Sequence, residues 1–358
     1  MANQVVYGFH TLQERFAETA AAVGPEPINE AINQAIAEHN RQLTLLTRLF
    51  VRQGETAPKR TFRVGQSMRN QPLDEAGRPL PVRGEARYEV GLPLQMSGNA
   101  MGWTFLESVE QRIEDVNRRV AAILDGDASW MFDHILAALF NNANRSYYDE
   151  DFGSLTVVPI ANGDATVYQV GAGSFAGATD NHLLAQAAAI DDANNPFAAI
   201  YTELTEHPEN GSGEVISFIS SSLRSSVMGL GSFHAPPNPN ITPGSGQTVL
   251  TGNLGIDVPG TLLGLVDEGP WIVEWPRVPA GYIVSVHTGG ERPIAERVKD
   301  VARLRGFVNA DDNEDFPWYQ RNWIRIVGFG GWNRVSAVVT RIGNGTYAIP
   351  TNYATIMP

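Results

Sequence analysis

Apolar residues recur at helical spacing near the start of the chain and predict an amphipathic helix there. The stripe follows Asn29, whose side chain can cap the first turn, and it consists of Ile32, Ile36, Leu43, Leu46 and Phe50. Gly24-Pro25-Glu26-Pro27 separates this helix from a weaker helical pattern over residues 11–22. Residues 1–54 are therefore predicted to form a mostly helical N-terminal arm. Its apolar face is expected to dock either on its own domain or on a neighbouring copy.

A second, longer stripe predicts a helix over residues 104–125. Thr104 and Glu107 have the spacing of a capping box, in which each side chain satisfies a free backbone N–H. The apolar positions then alternate spacings of three and four along Leu106, Val109, Ile113, Val116, Val120 and Ile123. Gly126 is predicted to end the helix, which at about 1.5 Å per residue is a rod of roughly 30 Å. Charged residues on the opposite face indicate a spine packed on one side.

Residues 55–102, between the arm and the spine, are rich in Arg, Pro and Gly and carry two strand-like runs, over 60–68 and 85–96. Turn-forming residues lie between the runs at Asp74, Gly77, Pro79 and Pro81. The pattern predicts a long two-stranded hairpin. Such an element is only marginally stable by itself in water.

The rest of the chain mixes both kinds of element. Helices are predicted over 130–141, over 180–189, after Pro196, before Gly229 and over 294–304. Strands are predicted within 147–160, 214–220, 271–287 and 322–349, with a hairpin turn at Gly343-Asn344-Gly345. Because helices and strands do not alternate regularly as βαβ units, the predicted fold class is α+β.

Composition limits the chemistry. The 358 residues include no Cys, which excludes a disulfide scaffold, a Cys-ligated metal and a thiol nucleophile. The net charge of −13 argues against strong binding of nucleic acid over the whole surface. The charge is unevenly spread: residues 57–88 carry +4, whereas residues 103–358 carry −14. A basic arm on an acidic body suggests that the hairpin lies across an acidic surface, possibly that of another copy.

No motif assembles a catalytic site. The seven His are scattered and no pair has the i, i+4 spacing of a helical zinc site, so no metal and no cofactor are expected. Two acidic runs are candidates for carboxylate chemistry or cation binding, but a solvated surface explains each of them better: Asp149, Glu150 and Asp151, and Asp311, Asp312, Glu314 and Asp315. The chain is predicted not to be an enzyme. No stretch resembles an export signal or a membrane span.

The order of arm, long hairpin, spine helix and mixed body resembles the major capsid protein of tailed bacteriophages, the Hong Kong 97 fold. Local phrases are similar to one capsid subfamily, namely FDHILAALFNNANRSYYDEDFGSL, GPWIVEWPRVPAGYIVSV and GFGGWNRVSAVVTRIGNGTYAIPTNY. The resemblance implies an arm over 1–54, an extended loop over 55–102 and a peripheral domain over 103–178 that contains the spine helix 104–125. It also implies a mainly axial domain over 179–318 and C-terminal strands over 319–358 that return to the peripheral domain.

The resemblance implies a structural protein that self-assembles as hexamers and pentamers into an icosahedral phage head around double-stranded DNA, without sequence-specific DNA binding. Its place would be the shell of the virion, assembled in the host cytoplasm and without a membrane. Because the sequence opens directly with the arm, a separate scaffolding protein or none is expected, together with a portal and possibly decoration proteins.

On this hypothesis, hairpin arginines form inter-subunit contacts with acidic groups of adjacent copies: Arg60, Arg63, Arg69, Arg78, Arg83 and Arg87. Two alternatives stay open. An encapsulin-type nanocompartment shell has the same fold and packages an enzyme instead of DNA, and a carboxylate-dependent hydrolase would use one of the acidic runs.

Overall fold

The computed structural model describes residues 8–9, 11–64, 73, 75–78, 86–171, 178–235, 258–267, 269–313 and 318–356. Within these residues the α-helices are α1 (Ala20–Val23), α2 (Pro25–Thr47), α3 (Phe105–Glu110), α4 (Ile113–Phe140), α5 (Phe197–Thr205) and α6 (Arg224–Met228). The first nine strands are β1 (Val51–Glu55), β2 (Lys59–Val64), β3 (Ala86–Gly91), β4 (Gln95–Thr104), β5 (Arg145–Asp149), β6 (Gly153–Val157), β7 (Asn162–Tyr168), β8 (Ala178–Asn181) and β9 (Leu183–Gln186). The others are β10 (Val215–Ile219), β11 (Phe233–His234), β12 (Thr261–Val266), β13 (Trp271–Glu274), β14 (Tyr282–His287), β15 (Ile294–Val298), β16 (Val308–Asn313), β17 (Trp318–Gly331) and β18 (Ala337–Ile342).

Two sheets form the body. The larger has seven strands in the order β11-β12-β13-β10-β14-β18-β9. The smaller has five, in the order β1-β15-β17-β16, with β4 also paired to β17. Separate two-stranded ribbons are formed by β2-β3, β5-β6 and β7-β8. This mixture without βαβ alternation confirms the predicted α+β class.

The main core lies between the two sheets, around the second half of α4. Ile135 and Phe140 share a buried cluster with Val284 of the larger sheet and Phe329 of the smaller one. On its other face the larger sheet is covered by α5, whose Phe197 is fully buried. The central strand β10 is consequently buried along its whole length.

The spine helix differs from its prediction at both ends. The capping box at Thr104 and Glu107 is present, but it begins the short helix α3, which ends at Glu110. The break has a local cause, because the N–H of Ile113 donates to the Glu18 carbonyl and the Gln111 carbonyl accepts from Ala20. Helix α4 then continues through Gly126 to Phe140, so the predicted stop at Gly126 is wrong and the predicted helix over 130–141 belongs to α4.

Gly126 does not end the helix because the next residue, Asp127, is fixed in the interior. The Asp127 carboxylate accepts hydrogen bonds from Arg325 at 2.7 and 2.6 Å and lies 2.7 Å from the His39 ring nitrogen. Burial alone would raise the pKa of Asp127, but the hydrogen bonds and charges of His39 and Arg325 outweigh it and hold that pKa below its ordinary value. This cluster joins α2, α4 and β17.

The arm docks on its own chain. Ile32 and Ile36 of α2 pack in one buried cluster with Val116 and Val120 of α4. Helix α2 begins at Pro25, where the fixed φ of proline suits a first helical turn, so Asn29 lies inside the helix and is not its cap. Within 11–22 a single 3-10 turn and the start of α1 replace the predicted helix.

Two further helix predictions are wrong because long-range strand pairing overrides local helical spacing. Residues 180–189 contribute to β8 and β9, and β9 pairs with β18. Residues 294–298 form β15, which lies between β1 and β17, and a 3-10 turn over Ala302–Leu304 follows. Of the second acidic run, Asp311 and Asp312 are exposed residues of β16, whereas Glu314 and Asp315 lie outside the described residues.

The predicted strands within 147–160, 214–220 and 271–287 are confirmed, as are the helix after Pro196 and the short helix before Gly229. Gly343 follows β18 with a positive φ of 81°, so the turn is present. Among the described residues after it, however, no further strand follows, and the turn does not form a hairpin.

Candidate functional site

The first candidate surface is the β2-β3 hairpin. The two strands pair antiparallel from Lys59 opposite Gly91 to Val64 opposite Ala86, which confirms the hairpin at its base. The predicted second strand over 85–96 is interrupted between β3 and β4 at Pro93, which has no N–H to donate to a ladder. Most of the segment between the two strands lies outside the described residues.

An aromatic cluster anchors the base of the hairpin to the body. Phe62 of β2 and Tyr88 of β3 stack with their ring centroids 5.0 Å apart. The edge of Phe62 meets the ring of Trp332, which follows β17, at 4.8 Å. The Tyr88 hydroxyl donates to the Trp332 carbonyl at 2.8 Å, and burial, the largest influence, raises the pKa of Tyr88 so that it stays a donor.

Trp332 is itself held from several sides. Its indole N–H donates to Glu291 at 2.6 Å, and the Arg52 guanidinium lies 4.8 Å from its ring centroid. Trp332 is 3% exposed, so the anchor belongs to the packed interior. Each strand of the hairpin contributes one aromatic residue to this contact, and both strands are therefore fixed to the body at the base of the hairpin.

Four of the six predicted arginines lie among the described residues of this hairpin segment. Arg60 pairs with Glu55 of its own chain at 3.4 Å, with a side chain 52% exposed, and lies 5.8 Å from the Trp332 ring centroid. Arg63 and Arg87 occupy one register pair of the β2-β3 ladder, and Arg78 is exposed. Arg69 and Arg83 lie outside the described residues.

The candidate carboxylates are engaged separately. Asp149 is buried, pairs with Arg297 at 3.0 Å and accepts from the backbone N–H groups of Asp151 and Phe152. Burial opposes ionisation of Asp149, but these contacts hold its pKa below the ordinary value. Asp151 points to solvent, 3.7 Å from Lys299. The run at 149–151 therefore forms a turn bound to β15, and not a pair of cooperating carboxylates.

Helix α3 presents an apolar surface. The side chains of Leu106 and Val109 are 70% and 44% exposed, although both belong to the stripe that was predicted to be buried. The break before α4 turns them away from the core. Next to them an open groove of about 290 Å³ runs between α1, α2 and β4, and Val109 and Trp103 are among its lining residues.

One cluster was missed by the sequence analysis. Asp180, His182 and His207 converge in the interior, although the two histidines are 25 positions apart and had no common pattern. The only local signal is the Asp-x-His spacing of Asp180 and His182, which is too short to indicate a site without the fold. The two histidines are at most 1% exposed and Asp180 is 9% exposed.

None of the described helices is long and apolar enough to cross a membrane. No known family model matches the chain. No curated protein sequence matches it either.

Solved structures do match. The chain is similar to a structure from Mycobacterium phage Patience, with 19% identity over 94% of both chains and a TM-score of 0.64. It is also similar to the capsid of a native GTA particle, with 12% identity, 84% of this chain and 90% of that chain covered, and a TM-score of 0.47. A virus-like particle from Pyrococcus furiosus matches with 9% identity, 88% and 100% coverage, and a TM-score of 0.44. The phage Patience likeness extends over nearly the whole chain and confirms the Hong Kong 97-type fold.

Proposed function

We propose that this chain is a major capsid protein of a tailed phage, which assembles as hexamers and pentamers into an icosahedral shell around double-stranded DNA. The observation that carries the proposal is the fold shared with a phage structure over 94% of both chains. A fold shared over this length supports a shared architecture, while function has to be argued from particular surfaces. Three surfaces of this chain support assembly.

The hairpin is the first of these surfaces. Its base is fixed by Phe62, Tyr88 and Trp332, but two strands alone bury little apolar surface. An anchored two-stranded element with so little core of its own is suited to bind across a second molecule. We infer that the neighbouring copy supplies the missing surface.

The acidic body is the second surface, and its charge favours the same partner. The hairpin segment 57–88 carries +4, and residues 103–358 carry −14, so the hairpin of one copy is attracted to the body of another. Arg63 and Arg87 share one register pair, so the hairpin brings two of the predicted arginines to the same level of its ladder. Acidic groups on a neighbouring copy are the partners we propose for the hairpin arginines.

The outer face of α3 is the third surface. Leu106 and Val109 expose apolar side chains on a helix whose first turn is fixed by its capping box. Because the proposed assembly is built from identical copies, the surface that covers these residues is expected to belong to another copy of this chain.

The division into arm, extended loop, peripheral domain, axial domain and returning strands at 54, 102, 178 and 318 is kept as part of the proposal.

The test is electron microscopy of the full chain after size-exclusion chromatography with light scattering, with and without co-expressed neighbouring genes. We expect closed shells, or hexamers and pentamers. A product that stays monomeric under all of these conditions would contradict the proposal. Nuclease-protected DNA inside particles formed in infected cells separates a phage head from an encapsulin-type shell, which would hold a protein cargo.

A further inference from the structure

The structure points to a second kind of site that is independent of assembly. We propose that Asp180, His182 and His207 bind one divalent transition-metal ion, with Zn²⁺ as the best match, in the interior of the chain.

The outer nitrogens of both rings are already committed. Nδ1 of His182 lies 2.8 Å from the Ala337 carbonyl oxygen, and Nδ1 of His207 lies 3.0 Å from the Gln169 carbonyl oxygen. A carbonyl oxygen only accepts hydrogen bonds, so each Nδ1 must carry the proton. In a neutral imidazole this leaves Nε2 with a lone pair. Metal-binding histidines are typically oriented in this way by a carbonyl or carboxylate at the other nitrogen.

The two inner nitrogens point at the same place. Nε2 of His182 lies 2.7 Å and Nε2 of His207 lies 2.8 Å from one carboxylate oxygen of Asp180, and the two nitrogens are 3.2 Å apart. With neutral rings, three acceptors face one another without a hydrogen. A proton on Nε2 of one ring satisfies its contact with Asp180 but leaves the other ring's lone pair facing the same oxygen, and protonating both rings would bring two imidazolium ions together in the interior. A cation at the centre satisfies all three lone pairs.

The separations suit a small tetrahedral ion. Ligands at about 2.0–2.1 Å from Zn²⁺ lie roughly 3.3 Å from one another in a tetrahedron. The 3.2 Å between the two Nε2 atoms meets this value, and the two oxygen–nitrogen separations need to widen by about 0.5 Å. Two imidazoles and one carboxylate form a ligand set that suits Zn²⁺ and its transition-metal neighbours, and Mg²⁺ and Ca²⁺ prefer oxygen ligands alone.

Glu206 can supply a fourth ligand. Glu206 follows α5, and its Oε1 lies 3.9 Å from Nε2 of His207 with 28% of the side chain exposed. Glu203, one helical turn earlier, also interacts with Asp180. Three carboxyl groups therefore surround two imidazoles, an excess of negative charge that a divalent cation would compensate.

The site would act as a structural cross-link. Asp180 and His182 flank the junction of β8 and β9, and His207 follows the end of α5. Through the carbonyls of Gln169 and Ala337, the same two rings also contact the end of β7 and the start of β18. A bound ion would fasten the β7-β8 ribbon to the seven-stranded sheet.

The experiment uses the untagged full chain, dialysed against EDTA, with Zn²⁺ alone as the probe. Isothermal titration and elemental analysis are expected to give one Zn²⁺ per chain, and Zn²⁺ is expected to raise the melting temperature. Loss of outer-shell partners costs about 10–100-fold in metal affinity, so His207→Gln, which removes a ligand, should lose more than about 100-fold. His234→Gln is the matched control, because His234 is an exposed histidine with a carboxylate partner, Asp267.

Glu206→Gln provides a second variant at a partly exposed position, in case His207→Gln does not fold by circular dichroism. It should weaken Zn²⁺ binding while the fold is kept. The proposal is overturned if the wild-type chain takes up no stoichiometric Zn²⁺, or if His207→Gln or Glu206→Gln binds as tightly as His234→Gln. Because the readout is metal binding, failure here would leave the capsid proposal untouched, and the reverse also holds.

Discussion

At the scale of single residues, buried charges decide how the arm, the spine helix and the smaller sheet meet. Asp127 connects His39 of α2 with Arg325 of β17, and Arg325 reaches Asn40 at 3.1 Å. Removing one partner of a buried ion pair leaves the other charge uncompensated, which typically costs about 3–5 kcal/mol. These few contacts therefore have a large effect on stability.

Asp127→Asn is expected to lower the free energy of unfolding by about 3 kcal/mol at pH 7, because Arg325 loses its buried counter-charge. The folded state holds the pKa of Asp127 below its ordinary value. The carboxylate thus stabilises the fold above an unfolded pKa of about 3.9, and this contribution is lost as the pH falls through the folded pKa.

Urea denaturation of the wild type and of Asp127→Asn, at pH 7 and near pH 3, measures this contribution of the carboxylate. The difference between wild type and Asp127→Asn should be largest at pH 7 and should shrink in acid. Glu114→Gln is the control, since Glu114 forms an exposed pair with Arg118 and should change little at either pH. A difference that stays constant with pH would show that the ionised carboxylate is not what stabilises this cluster.

Residue-level chemistry was only partly predictable. The capping box at Thr104 and Glu107 follows from four consecutive residues, and the structure has it. The cluster of Asp180, His182 and His207 depends on the packing of α5 against β8 and β9, a segment for which the sequence predicts a helix. No spacing along the chain reports such a meeting.

At the scale of elements, α4 shows where local signals fail. Its apolar stripe correctly predicts a helix, but the predicted end at Gly126 is wrong, because the helix continues to Phe140. A glycine ends a helix when the chain has to leave the helical conformation at that point. Here the residues that follow Gly126 are buried within α4, so the helix continues. Likewise the sequence around β15 predicts a helix, but the segment forms a strand because β1 and β17 pair with its two edges.

Gly126→Ala should therefore stabilise the chain by about 0.5–1 kcal/mol, because alanine loses less backbone freedom than glycine inside a helix. An added Cβ would meet only the side-chain nitrogen of the exposed Asn99, at 3.3 Å. Thermal and urea unfolding measure the change. The control is Gly153→Ala, where the space is open but φ is +75°, so that substitution should destabilise. A loss of stability in Gly126→Ala would contradict the account of α4.

Leu106→Asp tests the outer face of α3. Since the Leu106 side chain is 70% exposed, its replacement should leave the melting temperature of the isolated chain nearly unchanged. A charge at a surface that another copy covers should reduce assembly strongly, measured as the fraction of protein in particles by light scattering. Met228→Asp, at an exposed methionine of α6, is the control for adding the same charge at another exposed apolar position. Normal particles from Leu106→Asp would remove α3 from the proposed interface.

At the scale of the whole molecule, the order of arm, hairpin, spine and body was predictable because each has its own composition and periodicity. The arrangement of the two sheets was not, since β4 pairs with β17, and β1 with β15, across more than two hundred positions of sequence. The proposed assembly adds a further level, in which the hairpin of one chain binds the body of the next. The attraction between the basic hairpin and the acidic body is expected to act between these copies.

The decisive variant removes residues 65–85 and keeps the base of the hairpin. Val64 and Ala86 are the last register partners among the described residues, so residues 65–85 can be replaced by Asn-Gly, which favours a two-residue hairpin turn between them. Phe62, Tyr88 and Trp332 stay in place, and the melting temperature of the isolated chain should be close to that of the wild type.

Assembly should fail in this variant, because the segment that binds across a neighbour is gone along with three of the six arginines on which the predicted contacts depend. Light scattering and electron microscopy report the outcome, and a chain with Arg69, Arg78 and Arg83 changed to Gln separates the effect of charge from that of the missing segment. If the Gln chain still assembles at low salt and the shortened chain does not, backbone pairing or shape is the main contribution. If both form normal particles, the hairpin is not the clasp, and the exposed face of α3 becomes the stronger candidate for the contact between copies.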